Sequence, residues 1–436
     1  MEYEEAEAFL LGIPRFASKN TPEDTKAFLR RLGNPGTDRI IVHVAGTNGK
    51  GSVCAYLSSV LRQGGYRVGL FTSPHLVTMR ERFRVDGEPV SEQEFIGLLA
   101  SVRKALSDFP GAAGGYHPSF FEMLFFMGML YFQKKDVQVI LLETGLGGRL
   151  DATNSVSGKD LCVITRIGMD HMEYLGDTLP LIAGEKAGIL QKGVPVVYGD
   201  YGREVTQVLE KRAAELSCPV FFVSNRDIRN LDFHKNFIDF SMETRYYGYI
   251  RCTISTCAPY QTENAALALR ALDALADRLP VSETALLRGM ASARWEGRME
   301  EIDQDVYLDG AHNVDGIRAL LETVLRDGCA GRRFLLFSAV KDKQYKEIIG
   351  ILWDSGLFHM IYVTEVKNTR GIPLETLEAA FYAAGAETVY GFGDAGNALK
   401  HVLAEKQPGD RVYIAGSLYL VGEIKSHIKR NDYDQF

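Results

Sequence analysis

Val42-His43-Val44-Ala45-Gly46-Thr47-Asn48-Gly49-Lys50-Gly51-Ser52 is an apolar run that breaks into glycines, a lysine and a hydroxyl. Beyond it Val53, Leu57, Val60 and Leu61 recur at the spacing of one helix face. A β-rich run at 40–45, the glycine turn, that helix and a second run at 68–72 make one βαβ unit. Runs at 137–142, 161–165, 195–198 and 219–223 are apolar throughout, which predicts a parallel sheet covered by helices on both faces. Residues 231–256 alternate apolar with polar around Tyr247-Gly248, predicting an antiparallel hairpin that edges this sheet, and a helix beginning near Asn264 follows. From residue 306 the rhythm restarts, with strands at 306–309, 334–339, 358–364, 387–392 and 411–415 and helices at 313–325, 344–353, 374–384 and 394–405. The fold class is α/β: a phosphate-loop-type, mostly parallel N-terminal sheet and a smaller Rossmann-like C-terminal domain, with the boundary near 294–300.

The 436 residues leave room for two or three domains, and 46% hydrophobic with 24% charged residues exclude a disordered or fibrous chain. A net charge of -7 without a basic run argues against a nucleic-acid partner. The six cysteines follow no metal or redox spacing and read as reduced, mostly buried thiols. Met1-Glu2-Tyr3-Glu4-Glu5 lacks the basic, then apolar, pattern of a signal peptide, and the longest apolar stretch, Phe120 to Phe132, is broken by Glu122. The expectation is a cytoplasmic protein that does not meet a membrane.

The glycine turn carries the strongest chemical signal. Thr47, Asn48, Gly49, Lys50, Gly51 and Ser52 stand where a strand feeds a helix, so backbone amides and the helix N-terminus can cradle a polyphosphate, Lys50 can balance its charge and Ser52 can ligate Mg²⁺. The match to the usual pattern is imperfect, because Val44 replaces its first glycine and Gly51 separates Lys50 from the hydroxyl. Glu143 ends the run Val139-Ile140-Leu141-Leu142, where an acid completes a phosphate-bound Mg²⁺, and a glycine-rich stretch to Arg149 and Asp151 follows. Alone, His171 reads as a core or surface residue, Lys186 as a surface cation, Asn264 as a helix cap, Arg298 as a linker cation and Asp309 as a strand-end turn former.

As an ordered series these residues resemble the folylpolyglutamate synthase/dihydrofolate synthase family, within the Mur ligase superfamily of ATP-dependent amide ligases. The resemblance runs from Ile13-Pro14-Arg15-Phe16, through Leu32-Gly33-Asn34-Pro35, Ser73-Pro74-His75-Leu76 and Leu146-Gly147-Gly148-Arg149-Leu150-Asp151-Ala152-Thr153-Asn154, to Gly416-Ser417-Leu418-Tyr419-Leu420-Val421-Gly422. Mur ligases carry a further domain before the phosphate loop, for which the 45 residues before Gly46 leave no room, so the folate branch fits better. Two positions depart from the family pattern: Glu296 replaces a usual proline, and Ser119 a common threonine.

The resemblance implies an ATP- and folate-binding domain over 1–296 and a glutamate-ligase domain over 297–436. It implies ATP on the loop around Lys50, one Mg²⁺ held by Ser52 and Glu143 with Ser73 nearby, and a second reached by His171 and a carbamylated Lys186. It places Asn264 and Arg298 at the nucleotide, Asp309 where the C-terminal domain closes, and Ser119, Phe121 and Asp151 at the pterin. His312 is expected to help bind the incoming L-glutamate or to orient its amine. The implied reaction transfers the γ-phosphate of ATP to a carboxylate; the amine of L-glutamate then displaces phosphate from the acyl phosphate, with water excluded. The family further implies a monomer. The alternatives are a Mur-like ligase of another carboxylate and amine, or a phosphate-loop switch that ligates nothing.

Overall fold

The computed structural model describes residues 2–14, 20–109 and 116–433, so Arg15 and Phe16 lie outside the described residues. An eight-stranded sheet is built from β1 (Ile40–Ala45), β2 (Val68–Phe71), β3 (Phe83–Val85), β4 (Glu88–Pro89), β5 (Val139–Glu143), β6 (Leu161–Ile164), β7 (Val196–Gly199) and β8 (Val220–Val223) in the order β4-β3-β2-β5-β1-β6-β7-β8. All pairings are parallel except those of β3 and β4. The parallel strands β2, β5, β1, β6 and β7 are buried on both faces, as their continuous apolar runs predict.

β1 lies between β5 and β6, with Val44 opposite Glu143 and Ala45 opposite Ile164. That register brings the turns after all three strands to the carboxyl edge of the sheet, where the strand order reverses and open α/β sheets bind ligands. On one face the helix Lys50–Gln63 packs with Tyr260–Leu275 and Glu283–Ser292. The other face carries Phe120–Lys134, Leu179–Ala187 and Arg203–Glu215. Phe120–Lys134 starts where it does because Ser119 and Glu122 form a reciprocal capping box.

Two expectations are corrected. Residues 229–254 form three strands, β9 (Arg229–Phe233), β10 (Ile238–Thr244) and β11 (Gly248–Ile254), in a separate antiparallel sheet that does not edge the parallel one. Its apolar face, Ile238, Phe240, Met242, Ile250, Cys252 and Ile254, is buried in the core around Lys50–Gln63 and Tyr260–Leu275. Alternation fixes pairing and the buried face, but not the element that face meets. The helix expected from Asn264 begins at Tyr260, after Pro259 has fixed the helical turn, so Asn264 is an interior residue and not a cap.

The second sheet holds β12 (Glu300–Asp303), β13 (Val306–Leu308), β14 (Arg333–Phe337), β15 (Met360–Thr364), β16 (Tyr390–Phe392) and β17 (Arg411–Ala415), ordered β12-β13-β17-β14-β15-β16. Only β12 pairs antiparallel. Helices cover both of its faces. Among the described residues no helix is long and apolar enough to cross a membrane.

Candidate active site

The loop after β1 is shaped by close approach. Gly49 sits at φ +91°, and a Cβ there would lie 2.2 Å from Asn264 Oδ1; one on Gly51 would meet the Trp295 indole at 2.7 Å. The N–H groups of Thr47 and Asn48 donate to the Arg166 carbonyl at 2.9 and 3.2 Å, which pins the loop to the turn after β6. The helix Lys50–Gln63 has no side-chain cap at Gly49, and its first-turn amides at Lys50, Gly51 and Ser52 have no intrahelical acceptor, the arrangement that suits an anion.

Two lysines converge on one carbonyl. Lys50 Nζ donates to Gly46 O at 3.1 Å and Thr47 O at 3.2 Å, and Lys186 Nζ donates to Gly46 O at 2.8 Å. Burial, then the nearby Lys50 charge, lowers the Lys186 amine to about 7. Glu143 Oε1 is 4.0 Å from Lys50 Nζ, while its Oε2 accepts the Ser73 N–H at 3.3 Å. Burial raises the Glu143 carboxyl to about 7 despite Lys50. Ser52 is buried, and its hydroxyl accepts from Gln261 Nε2 at 3.2 Å; Gln261 in turn is held by the Asn264 amide at 3.0 Å.

Across the cleft, the turn after β13 faces this loop. Asn48 and Asn313 exchange two amide hydrogen bonds, at 3.2 and 3.1 Å, and Asn313 also donates to Asp170 Oδ2 at 3.1 Å. Asp170 takes Lys343 Nζ at 2.5 Å, with His312 Nε2 at 3.7 Å and His171 Nε2 at 3.9 Å. Burial alone would raise the Asp170 carboxyl, but His312 and Lys343 hold it well below the usual range. Burial, then Lys343, brings His171 down to about 4, so its imidazole is neutral at pH 7, with Nε2 3.5 Å from Lys343 Nζ.

Arg298 and Asp309 meet at the linker. Arg298 Nη1 donates to Gly297 O at 2.8 Å and lines a cleft with Gly51, Ser73, Glu143 and Trp295. Asp309 is buried and accepts from Tyr260 Oη at 2.7 Å and from the backbone N–H of Met299 and Ala311 at 3.0 and 2.8 Å. The pterin-assigned residues sit just beyond Glu143. Phe121 packs against Gly145, and Asp151 accepts the N–H groups of Gly145 and Leu146, both at 2.9 Å. Thr153 Oγ1 donates to Asp151 and shares a 2.8 Å hydrogen bond with the buried His43. The Ser119 hydroxyl serves as the helix cap.

Among the described residues no three His, Cys, Asp or Glu side chains converge into a metal cage. The donor set instead suits Mg²⁺ bound chiefly through phosphate and water, which asks the protein for one or two oxygens such as Glu143 and Ser52. Asp170, Asn313, Lys343 and Gln261 were not singled out from the sequence. The first two adjoin His171 and His312, and that adjacency was their only signal; Lys341-Asp342-Lys343 reads as an ordinary solvated charge run. Lys343→Met leaves the Asp170 carboxylate buried without its closest cation, and is expected to destabilise the fold by on the order of 3 kcal/mol. A lowered thermal midpoint, partly recovered by adding Asp170→Asn, would bear this out.

A Mur ligase glutamate ligase domain matches residues 297–418. Over 98% of its length the chain is 35% identical to dihydrofolate synthase/folylpolyglutamate synthase of Bacillus subtilis strain 168, of which it covers 99%. It is 29% identical to folylpolyglutamate synthase of Lacticaseibacillus casei, with 98% of each chain covered. Among solved structures, E. coli FolC in complex with DHPP and ADP superposes with a TM-score of 0.85 at 27% identity, covering 99% of both chains.

Proposed function

The chain belongs to the dihydrofolate synthase/folylpolyglutamate synthase family, and from that premise we propose how its cleft performs ATP-dependent glutamate ligation. It is an ATP-dependent acid–amino-acid ligase. The observation that carries the reading is the meeting of Lys50, Lys186 and Glu143 around the Gly46 turn, opposite the Asp309–Asn313 turn of the second sheet.

The first-turn amides and Lys50 hold the triphosphate, with the junction between ATP-binding and ligase domains at 296/297. Bound Mg²⁺ supplies charge neutralisation between the γ-phosphate and the acceptor carboxylate. Glu143 and Ser52, with Ser73 beside them, fit one ion; His171 and a carbamylated Lys186 fit a second. Carbamylation joins the neutral amine to CO₂ and releases one proton, and a lysine lowered to about 7 has that neutral form at physiological pH. Asn264 and Arg298 contact the nucleotide. Phe121, the Asp151 loop and the Ser119 helix start form the pterin end of the cleft, and His312, beside Asp170, meets the incoming glutamate.

The substrates are a pteroyl carboxylate, dihydropteroate or a folylpolyglutamate, together with L-glutamate and ATP. ADP release is expected to require both L-glutamate and a pteroyl acceptor. Product masses gain one glutamyl unit on dihydropteroate, on tetrahydrofolate, or on both, and these outcomes separate the synthase activities. No gain on either, with CO₂ supplied, would remove the folate reading and favour another carboxylate and amine.

A further inference from the structure

We infer that Lys425, which has no part in the chemistry above, is a positioning residue that holds Arg298 in the cleft by clamping the linker turn Glu296–Glu300. The inference rests on the proposed reading of Arg298 as a nucleotide contact. Lys425 lies on the helix Leu418–Tyr433 with its side chain 10% exposed. Its ammonium is 2.7 Å from Glu296 Oε2 and 2.6 Å from Glu300 Oε1. The second oxygen of Glu300 accepts the Gly297 N–H at 2.7 Å, and that of Glu296 reaches Arg84 of β3 at 3.4 Å. One cation of the C-terminal helix thus grips both ends of the turn, and Glu296 ties the turn on to the eight-stranded sheet.

The turn needs holding. Arg298 stands between Gly297 at φ +67° and Met299 at φ +47°. A methionine in the left-handed region persists only where its surroundings over-determine it. Here the Met299 N–H is taken by Asp309 and the Gly297 N–H by Glu300, so a carboxylate holds the N–H of the residue on either side of Arg298. The Gly297 carbonyl accepts the Gly310 N–H and Arg298 Nη1, both at 2.8 Å, so the guanidinium follows the orientation of that one peptide. Without the ammonium, Glu296 and Glu300 lose their shared counter-ion, Glu300 turns toward water and releases the Gly297 N–H, and the carbonyl that orients Arg298 is left to the Gly310 N–H alone.

The test uses the full chain, with MgADP affinity from titration calorimetry and ATP kinetics from ADP release. Lys425→Gln is expected to weaken MgADP and raise the ATP KM by about tenfold, with kcat at saturating ATP within about twofold, and Lys425→Arg to restore both. In an Arg298→Ala background Lys425→Gln is expected to change MgADP affinity by less than about twofold, since its effect travels through Arg298. Unchanged affinity in Lys425→Gln, or a full tenfold loss added to that of Arg298→Ala, overturns the proposal. Should Lys425→Gln fail to fold, Glu296→Gln at a partly exposed site is expected to weaken MgADP about threefold, and no change there is equally fatal. If Arg298→Ala leaves MgADP binding intact, the nucleotide reading of Arg298 fails first; if only that variant weakens binding, the positioning role alone fails.

Discussion

Glu143→Gln is expected to lower kcat for glutamate-dependent ADP release by about a thousandfold, on the order of 4 kcal/mol of transition-state stabilisation. The substitution keeps the side chain's shape and an oxygen for the Ser73 N–H, and Lys50 keeps its hydrogen bonds to Gly46 and Thr47, so the fold is expected to survive. What is lost is the negative charge at the carboxyl end of β5, the oxygen donor that fits Mg²⁺. The pH profile separates this from a structural effect. Burial holds the Glu143 carboxyl at about 7, so below that pH it is mostly protonated and cannot ligate. Wild-type activity should therefore rise with pH through about 7, and added Mg²⁺, which competes with the proton, should move this limb to lower pH. A Glu143→Gln variant with near wild-type kcat, or a wild-type acid limb indifferent to Mg²⁺, would place the first metal elsewhere.

The limits of the sequence reading have physical causes at particular residues. Runs such as 40–45 and 161–165 are apolar on both faces and alternate with helical patterns, which a helix-covered parallel sheet accommodates, and β1 and β6 fall where the pattern puts them. The alternation of 231–256 establishes one buried face, but the number of strands and their separation from the main sheet depend on contacts with Lys50–Gln63 and Tyr260–Leu275. At the site, Lys50 and Glu143 are legible because Lys50 opens a helix straight after the glycine turn that follows β1, and Glu143 ends the apolar strand β5 beside it. Lys343 is not, because it becomes a buried partner of Asp170 only when the two sheets meet, 173 residues apart in sequence. The Asn48–Asn313 amide pair is hidden for the same reason: asparagine in a turn is unremarkable until its partner arrives from the other sheet.

Lys186→Ala is expected to remove ligase activity by a thousandfold or more, to about the level of Glu143→Gln. Lys186 is an odd residue for its place: a buried amine that donates to Gly46 O, with burial first and the Lys50 ammonium second pressing its acidity up. A cation there adds repulsion near Lys50, whereas a carbamate supplies the anionic oxygens that a metal beside neutral His171 would need. The amine must be unprotonated to take up CO₂, and it is so above about pH 7. Wild-type enzyme stripped of CO₂ should therefore lose activity and regain it on readdition, more fully at pH 8 than at pH 6. Lys186→Ala leaves a cavity that a small carboxylate can enter, so millimolar acetate or formate should restore part of its activity while leaving Glu143→Gln inert. Two groups should then share the acid limb and respond to different additions: Mg²⁺ is expected to move the part set by Glu143, and CO₂ the part set by Lys186. If CO₂ has no effect and carboxylates rescue nothing, Lys186 acts as an ammonium that holds the Gly46 turn, and the second metal must be held without it.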